Sequence, residues 1–118
     1  MNIFYFASNS SMFTQLINVY KESVNRDIPS FFLYTEETNI THPSANMDKF
    51  SYSTNVETDL SSGHFIESVG MNLPFEPDIL MISRERWQPE QSIIHELKNR
   101  FGTKVYVVET SAHLINNI

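Results

Sequence analysis

Pro77-Asp78-Ile79-Leu80-Met81-Ile82-Ser83-Arg84-Glu85-Arg86-Trp87-Gln88-Pro89-Glu90 opens the stretch that decides the fold, which continues in a helical pattern to Phe101 and ends on Lys104-Val105-Tyr106-Val107-Val108-Glu109-Thr110. It reads as strand, polar loop, helix and strand. Both strands are apolar throughout, as strands of a parallel sheet covered by helices are. Pro89 suits the first helical position and Glu90 the first turn, where a negative charge complements the helix dipole. Ile93, Ile94, Leu97 and Phe101 recur at helical spacing and form the inner face. Gly102 then supplies the stop.

Working outward toward the amino terminus, Leu73-Pro74-Phe75-Glu76-Pro77 is an extended linker whose prolines fix the entry to the Ile79 strand. Residues 59–69 carry Leu60, Phe65, Ile66 and Val69 at helical spacing, although Gly63 weakens that pattern. Residues 49–54 alternate Phe50 and Tyr52 with polar neighbours, as a short edge strand does, and the aperiodic, polar residues 38–47 form a loop. Residues 28–34 give a strand with Pro29 at its start. The run Asn2-Ile3-Phe4-Tyr5-Phe6-Ala7 has the continuous apolar character of a central buried strand. Ser8-Asn9-Ser10-Ser11 follows with several residues able to cap a helix, and Met12, Phe13, Leu16, Ile17, Val19, Tyr20 and Val24 mark the helix's inner face. Beyond Thr110, Ser111-Ala112-His113-Leu114-Ile115 begins a further helical pattern.

The order β-α-β-(β)-α-β-α-β places helices on both faces of a sheet. The expected fold is therefore a three-layer, Rossmann-like α/β domain, residues 1–118, with a mostly parallel sheet of four to five strands. A chain of 118 residues is one domain's worth. Nine Phe and five Tyr supply large core side chains. The net charge of −6 excludes a protein that coats nucleic-acid phosphates over a broad surface. There is no cysteine, so disulfides, thiolate catalysis and sulfur-ligated zinc are excluded, and the reducing cytoplasm is the simplest compartment. The apolar run after Met1 is too short to span a bilayer and lacks a basic region before it, so no membrane or targeting segment is read. The sequons at Asn9 and Asn39 are chance matches in the absence of a secretion signal.

Ligands of open parallel sheets bind outside the carboxyl ends of the strands, near the point where strand order reverses. That rule collects Ser8, Asn9 and Ser10 after the first strand, Glu36 and Glu37 after the second, the 83–88 loop, and the 109–113 segment with His113. The Ser8-Asn9-Ser10 turn offers hydroxyls, an amide and the free N–H groups of a helix start, which suit an anionic or sugar-like group; simple capping is the other reading. No GxGxxG or GxxxxGK[ST] occurs, so close wrapping of a pyrophosphate is not expected. Glu36 or Glu37 stands where a ribose hydroxyl is received in Rossmann-type sheets, or is plain solvated surface. Arg84, Glu85, Arg86 and Trp87 bring together two of the four arginines and the only tryptophan. Arginine grips a phosphate or carboxylate with paired hydrogen bonds and tryptophan stacks on a base or sugar; an Arg–Glu ion pair under a Trp lid is the structural alternative. His113 beside Glu109 and Ser111 is a candidate hydrogen-bonding contact or base; a solvated histidine is the other reading. His42, His64, His95 and His113 show no metal-ligand spacing, so neither a metal nor a cofactor is expected.

The run from Pro77-Asp78-Ile79-Leu80 through Ser83-Arg84-Glu85-Arg86-Trp87-Gln88-Pro89-Glu90 to Val105-Tyr106-Val107-Val108-Glu109 resembles the amino-terminal domain of GT-B-type glycosyltransferases, including phage and bacterial members. The likeness covers roughly residues 77–118 in motif and the remainder in element order. It implies an acceptor-side domain whose enzyme uses a second, donor-binding domain or a partner chain for sugar transfer. The contrasting expectation is a stand-alone protein, of viral type, that sequesters a nucleotide or nucleotide-like signal as a homo-oligomer, with Arg84, Arg86 and Trp87 as anion and base contacts.

Overall fold

The computed structural model describes residues 1–35, 47–50, 73–83 and 88–108. Five strands and two helices lie among them: β1 (Ile3–Ala7), α1 (Ser10–Asn25), β2 (Ser30–Thr35), β3 (Met47–Phe50), β4 (Ile79–Ile82), α2 (Gln88–Phe101) and β5 (Lys104–Val107). The strands form one sheet in the order β3-β2-β1-β4-β5, and every pair is parallel. The three-layer Rossmann-like α/β expectation is met, at the upper end of the strand count.

β1 is central because all five of its residues are buried. Successive side chains of a strand point to opposite faces, so an apolar residue at every position serves two cores at once. Ile3, Tyr5 and Ala7 pack with Met12, Phe13, Leu16, Ile17 and Tyr20 of α1. Phe4 and Phe6 pack on the other face with Leu80, Ile82 and with Ile93 and Leu97 of α2. The helices thus cover opposite faces, and each buries the stripe that its apolar spacing marks, except that Val24, read as part of the α1 inner face, is exposed at the end of the helix.

Asn9 is the cap selected from the serine-rich turn, its side chain accepting a hydrogen bond from the Met12 N–H at 2.9 Å. At the far end Asp27 takes a left-handed conformation, φ 58°, as the chain turns into β2. Gly102 does the same after α2, φ 65°, as its position past Phe101 led one to expect.

Three details differ from the sequence reading. β3 begins at Met47, inside the stretch read as loop, and pairs Met47 with Phe32; residues 51–54, read as its continuation, lie outside the described residues. α2 starts at Gln88, one residue before Pro89. β5 is apolar in sequence yet far from buried, with Tyr106 and Val107 exposed, because it sits at the end of the strand order with β4 on one side. The patterns at 59–69 and 111–115 also lie outside the described residues.

Candidate functional site

The order β3-β2-β1-β4-β5 reverses between β1 and β4. From β1 the chain crosses through α1 toward β2 on one face, and from β4 it crosses through α2 to β5 on the other. The two crossovers diverge at the carboxyl ends of β1 and β4, where the ligand-binding crevice of such sheets usually falls.

Two side-chain ties cross this crevice. Ser8, just past β1, meets α2: its Oγ donates to Glu90 Oε1 at 2.6 Å and its backbone N–H donates to Oε2 at 3.0 Å. Ser83, just past β4, meets α1: its Oγ donates to Gln15 Oε1. Each strand end is therefore bonded to the helix that follows the other strand. Ser8 is half-buried, whereas Ser83 is buried and Glu90 is completely so.

Glu90 occupies this position because it precedes Ile93, Ile94 and Leu97 by three, four and seven residues, placing it on the buried face of α2. Burial raises its carboxyl from 4.5 to about 7, against the lowering effect of the two Ser8 hydrogen bonds and of its own backbone N–H. A carboxyl raised this far is one whose charge is set by its surroundings, a feature that clusters at functional sites.

Of the residues expected from the sequence, Ser8, Asn9 and Ser10 stand at this crevice. Ser8 engages Glu90, Asn9 caps α1, and exposed Ser10 opens the helix with its carbonyl accepting from Thr14 Oγ1 at 2.9 Å. Arg84, Glu85, Arg86, Trp87 and His113 lie outside the described residues, as do Glu36 and Glu37. His95 is exposed and bonded to Asn99. Gln15 and the site role of Glu90 were not anticipated, although the helical spacing of Glu90 from Ile93 and Leu97 carried the signal. Among the described residues no group of three metal-ligating side chains occurs, and no helix is long and apolar enough to cross a membrane.

Fold and strand order define a Rossmann-like α/β domain with the Ser8–Glu90 and Ser83–Gln15 pairs at its topological switch point. Compared with known protein families, curated proteins and solved structures, the chain gives no significant match.

Proposed function

We propose that the chain is a ligand-binding Rossmann-like domain that takes a sugar acceptor, or the sugar of a nucleotide, between the carboxyl ends of β1 and β4, in the manner of the acceptor-side half of a GT-B-type glycosyltransferase. The observation that carries this reading is the buried Glu90 carboxyl held by half-exposed Ser8 at the point where strand order reverses. Sugars offer several hydroxyls that both donate and accept, and half-buried Ser8 carries a hydroxyl that matches them, with Glu90 behind it. In the cytoplasm such a domain transfers sugar only with a donor-binding domain or partner chain.

A second reading, nucleotide sequestration by a homo-oligomer, is favoured by Arg84, Arg86 and Trp87, which fall in sequence between Ser83 and Gln88. Thermal unfolding against nucleotides, nucleotide-sugars and plain sugars separates the two. A ligand at one hundred times its dissociation constant stabilises the native state by about 2.7 kcal/mol, which for a domain of this size is a shift of several degrees. A shift with sugars that is lost in Ser8→Ala supports the acceptor-side reading. A nucleotide-specific shift lost in the Arg84→Ala/Arg86→Ala double variant supports sequestration. No shift with any member of the panel defeats both.

A further inference from the structure

A serine hydroxyl has one proton to donate and lone pairs with which to accept. Which of these Ser8 offers to the crevice depends on what its buried side requires. Ionised Glu90 is an acceptor only, so the Ser8 proton is directed to Oε1 and the lone pairs of Oγ face outward. Protonated Glu90 donates its own O–H to Ser8 Oγ, which frees the serine proton to point into the crevice. The Ser8 N–H holds Oε2 in both states, so the carboxyl does not have to move. Among the described residues the other hydrogen-bond neighbour of Ser8 Oγ is Met12 Sδ at 3.5 Å, a weak acceptor that a ligand oxygen displaces.

We propose that Glu90 is a positioning residue that sets the polarity of the Ser8 hydroxyl, making Ser8 an acceptor for ligand hydroxyls when Glu90 is ionised and a donor to an anionic ligand oxygen when Glu90 is protonated. This inference rests on the ligand site proposed above and adds a proton-dependent choice of ligand to it.

Because burial brings Glu90 to about 7, both states are populated near neutrality. Among the described residues no charged side chain opposes the carboxyl. β1, β2 and β4 carry no ionisable group beyond Tyr5 and Tyr34, and Lys104 opens β5 at the opposite edge of the sheet. The charged residues of α1, Lys21 and Glu22, lie toward its far end, and on α2 the nearest are His95 and Glu96, more than a turn further along.

The test uses the full chain, with sulfate as an anion that does not titrate in this range and ribose as a neutral, hydroxyl-bearing probe. Binding is followed through the amide NMR signals of Ser8 and Asn9. Sulfate should bind about thirtyfold more tightly at about pH 5.5 than at about pH 8.5, the ratio of protonated Glu90 at the two values. Ribose, whose hydroxyls serve in either direction, should change by less than about threefold. In Glu90→Gln the carboxamide donates to Ser8 at every pH, so sulfate binding should stay at its low-pH strength throughout. In Ser8→Ala the tight low-pH binding should disappear although the carboxyl still changes charge.

A sulfate dependence that survives in Ser8→Ala identifies simple repulsion by the carboxylate and overturns the inference, as does one that survives in Glu90→Gln. Either result leaves the ligand site standing. Failure of both probes to move these signals at either pH overturns the inference and the site together.

Discussion

At the amino edge of the sheet Tyr5, Ser23 and Ser30 bring three hydroxyls together, whereas at the carboxyl edge Ser8 holds a buried carboxyl. The first cluster is closed. Tyr5 Oη donates to Ser23 Oγ at 3.0 Å, Ser23 donates to the Tyr20 carbonyl at 2.8 Å, and Ser30 Oγ lies 2.9 Å from both Ser23 Oγ and the Ile28 carbonyl. Burial raises the Tyr5 pKa above its usual value, so this cluster stays neutral wherever the protein is folded at ordinary pH. The second cluster contains a group that changes charge near neutrality and faces a half-open hydroxyl. Polar atoms buried with all partners supplied serve the fold; a carboxyl buried with no counter-charge among the described residues costs stability when it ionises.

The contrast can be broken most severely through Phe32, whose ring packs at 5.7, 5.0 and 5.4 Å from those of Tyr5, Phe13 and Tyr20. Phe32→Ala should cost about 3–5 kcal/mol in urea unfolding and loosen the amino-edge cluster through Tyr5. The pH dependence of stability comes next. Glu90 is raised in the folded state, so the native chain holds a proton that the unfolded chain releases between pH 4.5 and about 7. Its contribution is full below that window and is lost as pH rises through it, by roughly 2–4 kcal/mol. Denaturant midpoints across this range should fall with rising pH in the wild type and lose that slope in Glu90→Gln. Tyr5→Phe leaves Ser23 without one donor and should cost about 1–2 kcal/mol, equally at both ends of the same pH range. A slope that changed with Tyr5 instead of Glu90 would reverse the assignment of the two clusters. Smallest is Asn9→Ala, where loss of the α1 cap should cost about 1 kcal/mol without affecting the titration of Glu90.

Much of this was legible in the chain. An apolar residue at every position of β1 announces burial on both faces, and the spacing of Phe13, Leu16, Ile17 and Tyr20 announces a helix against it. The strand order places Ser8 at the crevice once the parallel arrangement is granted. The exposure of β5 was hidden because Val105, Tyr106 and Val107 have the composition of an inner strand, and only the strand order shows that a second neighbour is missing among the described residues. Glu90 was read as complementing a helix dipole, a role that first-turn acids fill while solvated. Its contact with Ser8 joins residues 82 apart in sequence, and the Ser83–Gln15 tie joins residues 68 apart. Such pairs follow from three-dimensional order and leave no local signature beyond the side on which each residue falls.

The central place of β1 also governs how the chain comes together during synthesis. Its residues are made before those of the other strands, and one edge finds β2 as soon as Ser30 to Tyr34 are available. The other edge waits for β4, whose pairing also brings Asp78 to Asn2, 76 residues away in sequence. Closing so long a loop is slow compared with forming α1. In pulse-labelled hydrogen exchange, protection should therefore reach α1 before the pairing of β1 with β4, and Phe4 and Phe6 are the side chains a nascent chain must keep from sticking elsewhere in the interval.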